Sequence, residues 1–344
     1  MEDLISTKNQ SEEILCNPEN KYQDPRRRAW VEVNPLAIEH NAGVLKARLN
    51  NDCELMAVVK ADGYGHGALT VANSALRGGA SSLGVATLRE GIELRKSGIN
   101  APILVLGNLI DPNDLRACFE WQIIPTISSK TEAIICQNIA EGSDRTFQVQ
   151  IKFDTGMTRL GCDFNDVFNL VQAVDNLKDL MLVGLYSHLA MADMDLNHTS
   201  ETITELQHKK FEHVKNTLGV RDKPFYFHLA NSAAALRSKD FHYNMVRIGL
   251  ALYGYNPISD LDINLNLRTA LSVKARITLI REVNAGVGVS YGHYFITKRK
   301  TLLAVVAIGY ADGVNRSLSG KISVLFEGCF IPQVGAITMD QLVL

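Results

Sequence analysis

The chain has 344 residues, 46% of them hydrophobic, and carries a formal net charge of -2 at pH 7. This length is enough for one large α/β domain and a smaller one, and the near-neutral charge excludes a general attraction to nucleic acid or to anionic membranes. The six cysteines form no Cys-x-x-Cys pair and have no regular spacing, which predicts reduced thiols in a cytoplasmic protein, with no metal site and no disulfide framework.

Polar residues dominate the first 25 positions, which are rich in Glu, Asn, Gln, Ser and Lys. Their low apolar periodicity predicts a disordered N-terminal extension over residues 1–25. The segment lacks the basic and apolar parts of a secretory signal. Further along, the longest apolar runs fall short of the roughly 20 residues that cross a bilayer, so the sequence indicates neither export nor membrane insertion.

Short apolar segments alternate with amphipathic ones from about residue 54. The apolar segments predict eight strands, at 55–59, 82–86, 102–106, 122–126, 147–153, 181–187, 225–229 and 244–248. The segments between them predict helices near 66–78, 87–97, 111–120, 128–141, 163–176, 199–218 and 231–238. Eight β/α units over roughly 200 residues indicate an N-terminal (β/α)8 barrel of the TIM type at residues 26–265, although an open doubly wound sheet has the same alternation.

Helical patterns stop after about residue 266, and strand-like segments punctuated by Gly and Asn follow. These segments lie at 271–283, 287–291, 301–307, 321–326 and 330–334. They predict a C-terminal all-β domain at residues 266–344. An early strand at 29–33, ahead of the barrel, is expected to join this domain.

Charged and polar side chains follow the predicted barrel strands at their carboxyl ends, where barrel enzymes place their reactive groups. These side chains are Lys60 after strand one, Lys152, Asp154 and Arg159 at strand five, His188 after strand six, Asn231 and Ser232 after strand seven, and Arg247 at strand eight. An open doubly wound sheet would gather its ligands at a single switch point. The spread from the first strand to the last therefore favours the barrel.

Lys60 ends an apolar run at 55–59 and opens a glycine-rich turn that contains Tyr64. Burial at a strand end disfavours a charged ammonium, and a neutral amine can act as a nucleophile or form a Schiff base. If only the strand and the lysine are considered, the simpler interpretation is a lysine whose aliphatic stem packs against the protein while its ammonium group reaches water. The tyrosine, the glycines and the histidine that follow favour the reactive lysine.

The segment Val59-Lys60-Ala61-Asp62-Gly63-Tyr64-Gly65-His66-Gly67 resembles the cofactor-lysine motif of alanine racemases. The resemblance implies that Lys60 holds pyridoxal 5'-phosphate as an imine and that the Tyr64 hydroxyl binds the cofactor phosphate. It also implies that Lys60 is one of two catalytic bases.

A second segment, at 152–161, resembles the family's Lys-x-Asp-Thr-Gly-Met-x-Arg-x-Gly pattern, which most often has Gly where Thr158 stands. The resemblance implies that Arg159 binds the phenolic oxygen of the cofactor and the substrate carboxylate. It further implies carbamylation of Lys152, which would turn a cation into an anion that holds Arg159. Without the resemblance, the segment is a loop with a surface Asp–Arg pair.

Arg247 is the single arginine of an apolar run at 245–252, and the family has an arginine here that faces the pyridine nitrogen of the cofactor. A guanidinium donates a hydrogen bond but hardly gives up its proton, so the ring would be a weak electron sink, which suits racemisation. The segment Ser187-His188-Leu189-Ala190 resembles one that places His188 beside this arginine.

The segment His228-Leu229-Ala230-Asn231-Ser232 resembles the family's His-x-Ala-Asn-Ser. It implies that the Ser232 hydroxyl, next to Asn231, and the amides of Gly249 and Leu250 surround the cofactor phosphate. Loops after the seventh and eighth strands are also the usual phosphate site of a barrel. For His228 itself, a hydrogen-bonded core histidine is the better interpretation.

Three residues of the predicted β domain lie in segments that resemble the family. Tyr291, in the segment 288–292, corresponds to a second catalytic base that reaches the opposite face of the cofactor from the partner subunit. Met339, followed by Asp340, corresponds to a methionine whose amide meets the substrate carboxylate, again across a homodimer. Tyr310 corresponds to a residue at the entrance.

The resemblance implies interconversion of L-alanine and D-alanine by a pyridoxal-phosphate-dependent two-base mechanism, which supplies D-alanine for peptidoglycan. The alternatives are a racemase of the same fold for serine or another amino acid, and a truncated form that binds the cofactor with weak or no activity. The family has a further phosphate-binding tyrosine beyond residue 344, so an incomplete β domain and weakened cofactor retention are expected. Alanine and a second copy of the chain are the expected partners.

Overall fold

The structure, a computed structural model, describes residues 28–194, 202–221, 225–258 and 265–344. The predicted extension at 1–25 lies outside these residues. The chain divides into two units. One spans Val33–Leu271, and the other combines the described residues up to Glu32 with Ser272–Leu344.

Eight parallel strands form the centre of the first unit and confirm the predicted barrel. In chain order they are Glu54–Val58, Ser82–Val85, Ile103–Asn108, Ile124–Ile127, Phe147–Lys152, Leu180–Tyr186, Tyr226–His228 and Met245–Ile248. The first seven strands pair successively along the chain, and the eighth pairs with the first. Between the seventh and the eighth, the Arg247 N–H donates to the Ala230 carbonyl at 3.0 Å. The sheet is therefore a nearly closed barrel.

Helices follow the barrel strands where the amphipathic segments predicted them. They are Ala68–Arg77, Leu88–Lys96, Pro112–Glu120, Lys130–Ala140, Val167–Asp175, Ile203–Leu218 and Ser232–Arg237. Thr87, Ser129 and Thr202 each begin a helix with a capping box, in which the side chain of the cap and a Glu three residues on satisfy free backbone N–H groups. These caps fix where each helix leaves the rim of the barrel.

The helix Pro35–Arg48, ahead of the first barrel strand, was not predicted. Its apolar residues are not segregated to one face strongly enough to give a clear helical period. Asn34 caps it, and Pro35 occupies its first turn, which is a start signal that the sequence does contain. The buried Asn41 amide in this helix donates to the carbonyls of Leu252 and Arg268, at 2.9 and 2.8 Å.

Apolar side chains fill the interior of the barrel below the strand ends. Met56, Leu104, Val183, Tyr186 and Met245 belong to this inner cluster. A larger cluster of buried residues packs the strands against the helices. Barrel enzymes place their reactive groups at the carboxyl rim of the strands, above this inner cluster.

The second unit consists of short strands and 3-10 turns. Its strands are Ala29–Val33, Leu271–Ala275, Ile277–Val283, Gly288–Val289, Phe295–Ile296, Thr301–Val306, Ser323–Phe326, Cys329–Pro332 and Leu342–Val343. The early strand pairs with Leu271–Ala275, and Ile277–Val283, Thr301–Val306 and Leu342–Val343 form a three-stranded sheet.

Two strand predictions in this unit were wrong in detail, and two further strands were not predicted. The strand predicted at 271–283 is two strands, because the chain changes partners at Arg276, whose N–H donates to the Arg28 carbonyl. The strand predicted at 287–291 ends at Val289, since Ser290 has a φ of 63° that no strand residue adopts. The short strands Phe295–Ile296 and Leu342–Val343 were missed. In the described part of the chain, no helix is long and apolar enough to span a membrane.

Candidate active site

A cavity of about 510 Å³ lies at the carboxyl ends of the barrel strands. Ten of the residues singled out by the sequence line it: Lys60, Tyr64, Lys152, Arg159, His188, Asn231, Ser232, Arg247, Gly249 and Leu250. They lie at the ends of the first, fifth, sixth, seventh and eighth barrel strands or in the loops that follow them. The structure thus brings these ten residues together, whereas Asp154, which the sequence also places at this rim, is not part of the lining.

Lys60 opens a turn of unusual backbone geometry. Ala61, Asp62, Gly63 and Tyr64 have φ between 51° and 60° and ψ between 38° and 52°, so they form one turn of left-handed helix. Only glycine adopts this conformation without a steric penalty, because a Cβ approaches the following carbonyl oxygen. The turn brings both Lys60 and Tyr64 to the cavity.

The Tyr64 side chain is fixed by packing on two sides. Its ring lies 4.7 Å from the ring of Tyr253, whose hydroxyl donates to the Val58 carbonyl at 3.0 Å. On the other side, a Cβ on Gly249 would lie only 2.8 Å from the Tyr64 hydroxyl oxygen. Burial raises the pKa of Tyr64 above its usual value, so the hydroxyl keeps its proton and can donate it at neutral pH.

Arg247 is 3% exposed and is held by five neutral acceptors. Its Nη1 donates to Nδ1 and to the carbonyl of His228, both at 2.9 Å. Its Nη2 donates to the carbonyls of Ser187 and Leu229 and to Nδ1 of His188, at 2.7 to 3.1 Å. Burial lowers the pKa of Arg247 to about 10, with the neighbouring Tyr186 acting in the opposite direction. The guanidinium therefore remains protonated at neutral pH.

Arg247 also fixes the protonation state of both histidines. Arginine has no acceptor, so Nδ1 of His228 and of His188 must accept and cannot carry a proton. The His228 proton is then on Nε2, which donates to the Gln150 side-chain oxygen at 2.7 Å. Burial first, and Arg247 second, lower the pKa of both rings, for His188 to about 2. His228 is a hydrogen-bonded core histidine, as the sequence suggested.

Lys152 is 5% exposed, and its amine lies 5.4 Å from the centre of the Tyr186 ring. Burial and the nearby charges of Arg247 and Arg159 lower the pKa of this lysine from 10.5 to about 8, although Asp154 opposes them. A substantial fraction of Lys152 is therefore neutral at mildly alkaline pH.

The lowered pKa of Lys152 gives stability a defined pH dependence. Between pH 8 and 10.5 the unfolded chain binds the proton that the folded chain has released, so stability rises with pH in this range, by up to about 3 kcal/mol. We expect Lys152→Met to remove this rise in urea unfolding at pH 8 and pH 10 in CO2-free buffer. Lys130→Met, at an exposed helix start, is the control that should keep it. A Lys152→Met profile parallel to the parent's would contradict this prediction.

Arg159 lies in a loop that is organised by Asp154. The Asp154 carboxylate accepts from the backbone N–H groups of Gly156, Met157 and Thr158, at 2.8 to 2.9 Å. The Asp154 carboxylate is thus used in these bonds and not in the surface Asp–Arg pair of the simpler interpretation. The exposed Arg159 side chain lines the cavity. Thr158 has a φ of 56°, which explains why glycine suits this position.

Ser232 organises the backbone after the eighth strand. Its Oγ accepts from the N–H groups of Gly249 and Ala251, at 3.0 and 3.4 Å. Because both of these contacts use the oxygen as an acceptor, the Ser232 hydroxyl proton is left to donate to the cavity. The Asn231 side-chain oxygen caps the helix Ser232–Arg237 through the Ala234 N–H at 3.0 Å, so Asn231 has a structural role at this rim.

Positive charge predominates in the cavity. Four cationic side chains line it, those of Lys60, Lys152, Arg159 and Arg247. The lining contains one carboxylate, that of Asp193. Four cations to one carboxylate favour an anionic ligand. In the described ranges, no three His, Cys, Asp or Glu side chains come together as a metal site.

The remaining predicted residues belong to the second unit. Tyr291 follows Ser290, whose hydroxyl donates to the Ala336 carbonyl at 2.7 Å, and its own side chain is 68% exposed. Tyr310 N–H donates to the Thr338 carbonyl at 3.0 Å, which ties its turn to the segment of Met339 and Asp340. The side chains of Tyr291, Tyr310, Met339 and Asp340 are all exposed in this unit.

Several supporting residues were missed by the sequence analysis. Gln150 lies two residues before Lys152 on the same strand, so strand alternation places both on one face, and this spacing was a usable signal. Glu90 accepts from the Ala61 N–H at 2.7 Å. Gln207 donates to the Thr155 hydroxyl and to the His188 carbonyl, both at 3.0 Å. No local pattern indicates these last contacts, because each joins segments far apart in the chain.

A (β/α)8 barrel with a lysine after its first strand, a buried arginine on its last and an anion-binding rim defines a class of barrel enzyme that acts with an anionic cofactor or substrate. Residues 33–257 match the family described as "Alanine racemase, N-terminal domain", and residues 270–344 match "Alanine racemase, C-terminal domain". The chain belongs to the alanine racemase family of isomerases.

Relatives and solved structures agree with this assignment. The chain is 59% identical to an alanine racemase of Prochlorococcus marinus, over 95% of this chain and 84% of that protein. It is 49% identical to an alanine racemase of Nostoc, over 92% and 82% of the two chains. The solved alanine racemase from E. faecalis has a TM-score of 0.83 at 32% identity, covering 92% of this chain and 84% of the other. That from Streptomyces lavendulae has a TM-score of 0.82 at 37% identity, covering 92% and 83%.

The family depends on pyridoxal phosphate, and the residues of the cavity fit this cofactor. Lys60 provides a primary amine, Tyr64 and Ser232 provide hydroxyl donors, and the excess of cations suits a phosphate. Gly249 has no side chain where a Cβ would meet the Tyr64 hydroxyl. The donor set thus matches an aldehyde with an anionic phosphate.

Proposed function

We propose that this chain interconverts L-alanine and D-alanine with pyridoxal phosphate as cofactor and so supplies D-alanine for peptidoglycan. The observation that carries the proposal is the single cavity in which Lys60 and three further cations face one carboxylate, Asp193. The identity of 59% to an alanine racemase supports alanine as the substrate.

Each of the barrel residues would hold one part of the cofactor. Lys60 would bind its aldehyde carbon, and Arg247 would donate to its ring nitrogen beside His188. Tyr64, Ser232 and the Leu250 amide would donate to its phosphate, and the Gly249 amide would join them by exchanging its contact with Ser232 Oγ for one with the phosphate. When bound, pyridoxal phosphate supplies a conjugated ring that accepts the electron pair left by removal of the Cα proton.

The chain's own residues then move one proton. Lys60, released when the substrate amine takes its place on the cofactor, would remove or return the Cα proton on the D face, and Tyr291 of the partner subunit would do so on the L face. Arg159 and the Met339 amide of the partner subunit bind the substrate carboxylate and so hold Cα between the two bases. Arg247 keeps its own protons at Nη1 and Nη2, because its pKa of about 10 lies well above neutral pH. A homodimer is therefore part of the mechanism.

Lys152 would support Arg159 as a carbamate. Carbon dioxide reacts with a neutral amine, the N–C bond forms and one proton is released. The pKa of Lys152, lowered to about 8 by burial, provides the neutral amine. The resulting anion offsets part of the positive charge around Arg159 and holds that side chain in place.

The test is conversion of L-alanine by the purified chain with added cofactor. We expect D-alanine to accumulate until the two enantiomers are equal, since they have the same free energy in solution. L-Serine in a parallel reaction measures substrate preference, with slower turnover expected. Protein that binds pyridoxal phosphate but forms no D-alanine would contradict the proposal.

A further inference from the structure

We infer that Glu90 is a positioning residue that holds the left-handed turn Ala61–Tyr64 in the conformation required for cofactor binding by Lys60 and Tyr64. The inference rests on the proposed function for the identity of the cofactor. It concerns a side chain outside the cavity lining, on the helix Leu88–Lys96 that follows the second barrel strand.

The turn does not adopt its shape from local preference. Three of its four residues, Ala61, Asp62 and Tyr64, carry a Cβ at positive φ. Isolated chains avoid this conformation, and consecutive residues in it are rarer still. Contacts from outside the turn must therefore compensate for the steric penalty.

Two carboxylates hydrogen-bond at the turn, Glu90 from outside it and Asp62 from within it. Glu90 Oε1 accepts from the N–H of Ala61, the first left-handed residue, at 2.7 Å. Asp62 Oδ1 accepts from the N–H of Ala68, which lies beyond the turn, at 2.8 Å. Between them, the Gly63 N–H donates to the Val59 carbonyl at 2.9 Å. Of these three hydrogen bonds, the bond to Glu90 is the one that reaches a residue distant in the chain, and it lies next to Lys60.

The second oxygen of Glu90 anchors the carboxylate itself. Oε2 accepts from the N–H groups of Ala86 and Thr87, at 2.7 and 3.0 Å. One carboxylate thereby joins the ends of the first and second barrel strands. Bonds from three N–H groups to an ionised oxygen pair are stronger than neutral ones, so the Ala61 backbone is held firmly.

Glu132 shows what helix capping alone requires. Glu132 occupies the equivalent position in a second capping box, three residues after Ser129. Its Oε2 accepts from the N–H groups of Ser128 and Ser129. Both contacts stay within its own loop. The bond from Glu90 to Ala61 is additional to capping, and this difference makes Glu132 a matched control.

Three variants separate positioning from capping: Glu90→Gln, Glu132→Gln, and Glu90→Gln combined with Ala61→Gly. In glutamine, an NH2 group replaces one of the two carboxylate oxygens, and this group cannot accept from a backbone N–H. Glu90→Gln therefore loses either the bond from Ala61 or the bonds from Ala86 and Thr87. A relaxed turn must be ordered again when the cofactor binds, which weakens affinity. Glycine adopts a φ of 51° without a steric penalty, so Ala61→Gly should restore the turn.

The measurement is the dissociation constant of pyridoxal phosphate, from titration of the apoprotein, together with the melting temperature. We expect Glu90→Gln to weaken binding about tenfold, as loss of one charge-assisted hydrogen bond does. Glu132→Gln should leave binding unchanged while lowering the melting temperature similarly. The double variant should recover most of the affinity.

Equal dissociation constants for Glu90→Gln and Glu132→Gln, or no recovery in the double variant, would overturn the role of Glu90. If Glu90→Gln alone does not fold, a folded, cofactor-binding double variant supports the role, and a double variant that also fails to fold overturns it. Racemisation by the unaltered chain is measured separately, so failure of this inference is distinguishable from failure of the proposed function.

Discussion

Replacing Lys60 by alanine is expected to lower racemisation by roughly four orders of magnitude, because the chain loses both the amine that binds the cofactor and one of the two bases. The change should not unfold the protein, since Lys60 is only half-buried and alanine is compatible with the position after a strand. Formation of D-alanine from L-alanine, with saturating pyridoxal phosphate, measures the effect. The absorbance of the bound cofactor should change in parallel.

Lys130→Ala provides the control for Lys60→Ala. Lys130 is an exposed lysine at the start of the helix Lys130–Ala140, and its loss removes the same charge from the chain. Activity close to that of the parent is expected. If Lys60→Ala kept more than about a tenth of the parent activity, Lys60 could not be a base of this reaction.

Replacing Tyr291 by phenylalanine is expected to slow racemisation in both directions by roughly two to four orders of magnitude, the range of general acid–base catalysis. The variant removes one hydroxyl from a side chain that is 68% exposed in its unit, so the fold should be kept. Lys60 would still act on the D face. D-Alanine should therefore go on exchanging its Cα proton with deuterated solvent, whereas exchange of L-alanine should fall with racemisation.

The asymmetry between the two enantiomers is what distinguishes a base from a structural residue. Tyr294→Phe, three positions further on at a side chain that is 86% exposed, is the matched control and should leave both exchange rates intact. An equal loss of exchange for D- and L-alanine in Tyr291→Phe would show that Tyr291 does not serve one face alone.

The two variants together test the proposed homodimer. If Tyr291 acts from the partner subunit, a mixed dimer of Lys60→Ala and Tyr291→Phe chains contains one site with both residues intact. Random pairing makes half of the dimers mixed, and half of their sites intact, so roughly a quarter of the parent activity should return on mixing. No recovery after demonstrated subunit exchange would place both bases in one chain.

The barrel and most of its rim could be predicted from the sequence for a physical reason. Strands of a parallel barrel are buried on both faces and read as short apolar runs, and a charged residue directly after such a run stands out. Lys60 is of this kind, Arg247 interrupts such a run near its end, and both line the cavity. Motif resemblance added roles that neither burial nor spacing provides.

Features that depend on contacts between distant segments could not be predicted. Alanine and tyrosine give no sign of a left-handed turn, and the Glu90 that contacts Ala61 is 29 residues away. The tautomer of His228 depends on Arg247 and Gln150, which lie on two other strands. In the second unit, the change of partner at Arg276 breaks a strand that the apolar pattern shows as continuous.

The central claim, that this chain inverts alanine with two bases on opposite faces, is tested most directly by converting L-alanine in deuterated water with added pyridoxal phosphate. Two bases that exchange with solvent predict D-alanine that carries deuterium at Cα from the earliest turnovers, while the remaining L-alanine keeps most of its protium. Absence of D-alanine, or D-alanine that retains the original proton, would contradict the claim.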